Sequence, residues 1–148
     1  MDFLMTAIVV WLSANSFIPE NFNHPHIEYA SQAHMKEMRL HGTHSAAQST
    51  NVVGQIPDVV AVYDDERHTI FLPEGWTGTT PAELSVLVHE MVHHLQNVAG
   101  LQFQCAQERE KLAYIAQEKW LAPSRRSLEM SFGIDPETFL FNTECYIP

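Results

Sequence analysis

Basic residues are scarce in this chain of 148 residues: eight Lys and Arg stand against eighteen Asp and Glu, a formal charge of −10. Recognition of phosphates needs clustered Lys and Arg, and here only Arg125 and Arg126 adjoin, so the sequence argues against nucleic acid as a partner. Cysteine is also scarce. Cys105 and Cys145 make no C-x-x-C pair, which removes zinc-finger and thioredoxin spacings. Two states stay open for them: free thiols in the cytoplasm, or a disulfide in a periplasmic or secreted protein. A long hydrophobic run is lacking as well. The apolar stretch Phe3 to Leu12 is too short to cross a bilayer as a helix, so no stable membrane span is expected. A signal-peptide core is one reading of that stretch, although the positive start is lacking and Asp2 stands there instead. Leu4, Ala7, Ile8, Trp11 and Leu12 follow helical spacing, which predicts a first helix docked on the core.

Repeats, low-complexity blocks and linkers are absent too, so residues 1–148 read as a single domain. Hydrophobic residues at 45% and charged residues at 18% describe a globular chain. A short strand is expected around Ile27 to Tyr29, then a helix from Ser31 to Leu40. Residues 41–57 are polar and rich in small side chains, and read as a long loop. Two β-branched runs, Val59 to Tyr63 and Thr69 to Leu72, flank the polar turn Asp64 to Arg67 and predict a hairpin. Thr80, Pro81 and Glu83 spell a capped helix start, with the S/T-x-x-E pattern of a capping box. That helix runs to about Ala99, where Gly100 ends it. A second spans about Gln104 to Leu121 and stops before Pro123. The tail, Ser124 to Pro148, reads as one short helix and irregular chain. The fold class is therefore α+β: an antiparallel hairpin or sheet, followed by two long helices.

The first of those helices carries His89, Glu90 and His93 as H-E-x-x-H. Positions four apart stack on one helical face, so both imidazoles can converge on one zinc ion. Glu90 then stands beside the site as a general base for the metal's water. Leu84, Leu87, Val88, Met91, Leu95 and Val98 form an apolar stripe, and His89 and His93 lie roughly opposite its centre. That placement leaves solvated surface histidines as the competing reading. His94 falls off their face and reads as a neighbour, and His24, His26, His41 and His44 read as surface residues. A catalytic zinc takes three protein ligands and keeps one position for water. Glu108, Glu110 and Glu118 on the second helix are all eligible as the third. Glu110 heads an E-x-x-A-Y run with Ala113, Tyr114 and Gln117 on its own face. Gln96 and Gln117 read first as polar surface, and only secondarily as supports for the ligands.

H-E-x-x-H followed by a helix bearing E-x-x-A resembles the gluzincin zinc metallopeptidases. More closely, YDDERHTIFLPEGW, LVHEMVHHLQ and CAQEREKLAY resemble a small bacterial domain family of unassigned function. The resemblance implies a zincin-like domain with His89, His93 and Glu110 as zinc ligands and Glu90 as base. It also implies a peptide or protein substrate lying extended beside the strand His68 to Leu72 by β-addition. Tyr114 or His68 would then be the second donor to the oxyanion, with Tyr114 reading equally as a packing residue or a support for the ligands. The leading functional expectation is a zinc-dependent hydrolase with one Zn2+ per chain. The alternatives are a non-catalytic zinc-binding or interaction domain, and histidine-rich metal storage, which needs several ions per chain.

Overall fold

The computed structural model describes residues 1–15, 17, 23–40, 46–48 and 59–146, and six α-helices and four strands lie among them. The hairpin forms as its β-branched runs predict. β3 (Val59–Asp64) and β4 (Thr69–Pro73) are antiparallel, with Val62 opposite Phe71 and Asp64 opposite Thr69. The Oδ1 of Asp64 accepts from the N–H groups of Glu66 and Arg67 at 3.0 and 3.1 Å, which closes the turn.

The sheet itself is mixed rather than antiparallel. β1 (His26–Ala30) runs parallel to β4, and β2 (Ala46–Gln48) pairs antiparallel with β3, in the order β1-β4-β3-β2. A short strand with three exposed residues carries no signal of its direction, so the parallel pairing is invisible in the sequence. Its consequence corrects one expectation. β4 is paired on both sides, so its backbone N–H and C=O groups already serve two ladders and an extended substrate cannot add to it. Within the predicted loop 41–57, residues 46–48 form β2, and the others, with His41 and His44, lie outside the described residues.

α1 (Asp2–Ala14) buries Met5, Ile8, Val9 and Leu12 and sets Trp11 edge-on to Trp120 at 5.0 Å. α2 (Gln32–Leu40) covers the sheet through the buried Met35. α3 (Pro81–Val98) starts where the sequence predicts: Thr80 accepts the Glu83 N–H at 3.1 Å, and Pro81 occupies the first turn. Only half of the capping box forms. The Glu83 carboxylate instead takes the N–H groups of Thr77 and Gly78 at 2.6 and 2.9 Å, which fixes the loop entering the helix. α4 (Ala106–Leu121) follows, with Cys105 as its N-cap.

Every residue of α3 from Ser85 to Gln96 is buried. Its apolar stripe meets the core against β3 and α1, and α4 packs along it as well. Each fully buried Leu or Val there contributes about 1.5–3 kcal/mol. Ala113 and Ala116 of α4 are fully buried, and their small side chains allow close approach of the two helices.

The tail holds more helix than its periodicity predicts. After a 3-10 turn (Ala122–Ser124) come α5 (Leu128–Phe132) and α6 (Pro136–Thr143). Local capping makes such short helices: Ser127 accepts the Met130 N–H, Asp135 accepts the Thr138 N–H, and Gly133 leaves α5 at a φ of 69°. Among the described residues no helix is long and apolar enough to cross a membrane.

Candidate metal centre

His89 and His93 sit one turn apart on α3, and their Nε2 atoms are 3.2 Å from each other. Both face the Oε2 of Glu110 on α4, at 2.9 Å from His89 and 3.2 Å from His93. The three side chains form a group whose donor atoms all lie within 4.8 Å of one another, and which could hold a metal ion. Both histidines are fully buried, which overturns the reading of solvated surface rings. The face opposite the apolar stripe is not solvent, because α4 covers it.

The far nitrogens explain why the near ones converge. The Nδ1–H of His89 donates to Gln117 Oε1 at 2.9 Å, and the Nδ1–H of His93 donates to Gln96 Oε1 at 3.0 Å. An amide oxygen only accepts, so each ring carries a proton on Nδ1, and its Nε2 lone pair is left for a metal whenever the ring is neutral. The amides are held in turn: Gln117 Nε2 donates to Ser85 Oγ and Gln96 Nε2 to the Arg109 carbonyl, both at 3.2 Å. Gln96 and Gln117 are therefore buried supports of the two rings, not polar surface.

Charge reinforces the geometry. Burial alone would raise the Glu110 carboxyl, but the two histidines hold it well below the usual carboxylate range. Burial lowers both imidazoles. At His89 the hydrogen bond and charge of Glu110 outweigh it and leave the ring above its ordinary value, while His93 stays below. Two imidazole nitrogens and one ionised carboxylate suit a divalent ion of borderline softness.

Of the three carboxylates eligible as third ligand, only Glu110 reaches the histidines. Glu108 accepts the Gln104 N–H at 2.6 Å at the start of α4, and Glu118 accepts the Leu128 N–H at 2.8 Å at the start of α5. Glu90 is fully buried on the helix position after His89. Tyr114 is buried with its ring edge-on to His89 at 4.6 Å, and burial first, then the nearby carboxylates, push its hydroxyl up so that it keeps its proton.

His68 stands elsewhere. It is exposed in the hairpin turn at a φ of 50°, its carbonyl accepts the His26 N–H, and its ring packs on His94 at 5.9 Å. None of its hydrogen bonds or ring contacts is with the three-residue group. His94 is a neighbour, as its position on the helix predicts. Its Nε2–H donates to the Asn23 carbonyl, so its Nδ1 accepts from the Tyr63 hydroxyl at 2.9 Å. His24 bonds Thr6, and neither it nor the exposed His26 joins the group.

Sequence reasoning missed Arg109. Its guanidinium forms a two-pronged pair with Asp65 in the hairpin turn, Nη1 to Oδ2 at 2.7 Å and Nη2 to Oδ1 at 2.5 Å. The pair ties the sheet to the turn of α4 that carries Glu110, across 44 positions that no local pattern connects. The two cysteines are joined: Cys105 and Cys145 form a disulfide with Cα atoms 5.9 Å apart, which fastens the end of the tail to the start of α4.

No curated protein and no solved structure matches this chain. The family described as a domain of unknown function (DUF6647) matches residues 1–146, in keeping with the resemblance to a domain of unassigned function, and the chain belongs to that family.

Proposed function

We propose that the chain is a zinc-dependent hydrolase, a small metallopeptidase of gluzincin type, holding one zinc ion on His89, His93 and Glu110. The observation that carries this reading is the convergence of two imidazole Nε2 atoms on one carboxylate oxygen, with a buried glutamine behind each ring. A zinc ion bound there would polarise a scissile carbonyl and make water acidic enough to attack near neutral pH.

The chain's own residues do the rest. Glu90, buried beside His89, takes the proton of the attacking water and returns it to the amine nitrogen as the C–N bond breaks. Tyr114, protonated and lining a cavity with Glu110, donates to the carbonyl oxygen as that oxygen gains negative charge. His68, turned toward His94, takes no part. A peptide or protein substrate approaches this cavity and not the fully paired strand β4. The disulfide supports an oxidising working compartment, periplasmic or secreted.

Zinc titration of chelator-treated protein, read by competition with a chromophoric chelator, tests the site. One zinc per chain is expected, with affinity lost in Glu110→Ala. No binding, or several ions of equal affinity, would contradict the reading.

A further inference from the structure

A cavity of about 400 Å³ opens beside Glu110, between α2, α4 and α6. Glu110 and Tyr114 form its inner side, Thr138 and Asn142 of α6 supply neutral polar groups, and Phe141 adds an apolar wall. Among the described residues, two charged side chains line it. One is Glu110, whose Oε2 is engaged by His89 and His93. The other is Arg39, in the last turn of α2, exposed and brought from 71 positions away in sequence. In a chain of net charge −10 with only eight basic residues, a cation beside the candidate centre is conspicuous.

We propose that this cavity is the substrate subsite and that Arg39 captures a carboxylate of the substrate there. A guanidinium presents paired N–H donors that match the two oxygens of a carboxylate, and it adds the positive charge that neutral donors lack. The cavity is large enough for one or two residues of a peptide and too small for a folded partner. The carboxylate comes from a free C-terminus, which makes the activity that of an exopeptidase, or from an acidic side chain near the cleaved bond. This inference rests on the hydrolase reading for its chemistry. Water adds to the carbonyl carbon, the C–N bond breaks, and the proton passes by Glu90 to the departing amine.

Binding without turnover tests it, on zinc-loaded Glu90→Gln protein titrated calorimetrically with three probes. These are N-acetyl-trialanine with a free carboxylate, the same peptide as its C-terminal amide, and the amide of N-acetyl-Ala-Glu-Ala. The free acid is expected to bind about tenfold tighter than its amide or better, and adding Arg39→Gln is expected to erase that difference at unchanged zinc stoichiometry. If instead only the glutamate-containing amide binds more tightly and loses that advantage with Arg39→Gln, the captured carboxylate is an acidic side chain. Equal binding of all three probes, binding of none of them, or a preference that survives Arg39→Gln overturns the proposal. The two readings fail separately. A carboxylate preference with no cleavage by the wild type removes the hydrolase, and cleavage without that preference removes the subsite.

Discussion

His89 and Gln117 meet across the α3–α4 interface, the imidazole Nδ1–H donating to the amide Oε1 at 2.9 Å. That single bond decides which nitrogen of His89 faces Glu110. Its energy is that of one buried hydrogen bond, on the order of 1 kcal/mol, yet its effect is directional. Without it the ring can rotate or change tautomer, and the Nε2 lone pair no longer points at the group.

Replacing Gln117 with Leu is therefore expected to weaken zinc affinity by about 10- to 100-fold while the fold is kept. Competition against a chelator of known affinity reads the change, and circular dichroism checks the fold. Unchanged affinity would show that packing against Tyr114 alone orients His89.

The Cys105–Cys145 disulfide closes a loop over a sequence separation of 40. Loop-closure entropy assigns about 4 kcal/mol to a crosslink of that span. The Cys105→Ser, Cys145→Ser double variant is expected to unfold at a clearly lower urea midpoint. Reductant should bring the wild type to the same midpoint and leave the variant unmoved. A wild type insensitive to reductant would contradict the assignment.

Tyr63 is fully buried, and burial outweighs the hydrogen bond from Asn97 to push its phenol up to about 12. In an unfolded chain tyrosine titrates near 10. A value raised by folding gives stability that is whole below about pH 10 and is lost as the pH climbs through about 12. The shift corresponds to roughly 2–3 kcal/mol. Burial pushes Tyr114 up as well, so it adds to the same alkaline loss. Urea midpoints across this window are expected to fall steeply, and Tyr63→Phe should flatten the slope by about one proton. An identical slope in the variant would refute the assignment to Tyr63.

Much of the fold was legible because its signals are local. The β-branched runs and Asp64 turn of the hairpin, the Thr80–Pro81 start of α3 and the Pro123 stop after α4 are readable within a few residues. The i, i+4 pair His89 and His93 is equally local, and the E-x-x-A-Y run pointed to Glu110 across one connection. What escaped depends on contacts distant in sequence. Nothing near β1 states that it will lie parallel to β4, and that pairing turned the expected substrate strand into an interior one. The pair Arg109–Asp65 and the shared cavity of Arg39 and Glu110 are likewise products of assembly. The amphipathic wheel of α3 failed for a different reason: it sorts apolar from polar, not buried from exposed. The polar face was buried too, because a second helix supplies Gln117 and Glu110 to satisfy it.

The most direct test of the central claim is peptide cleavage by two zinc-loaded proteins, wild type and Glu90→Gln, at equal metal content. Glu90 is not one of the three residues proposed to hold the metal, so the variant should hold one zinc as the wild type does. The account predicts cleavage by the wild type and a rate at least about 100-fold lower in the variant. Equal rates in the two proteins, or a wild type that holds zinc and cleaves no peptide, would contradict it.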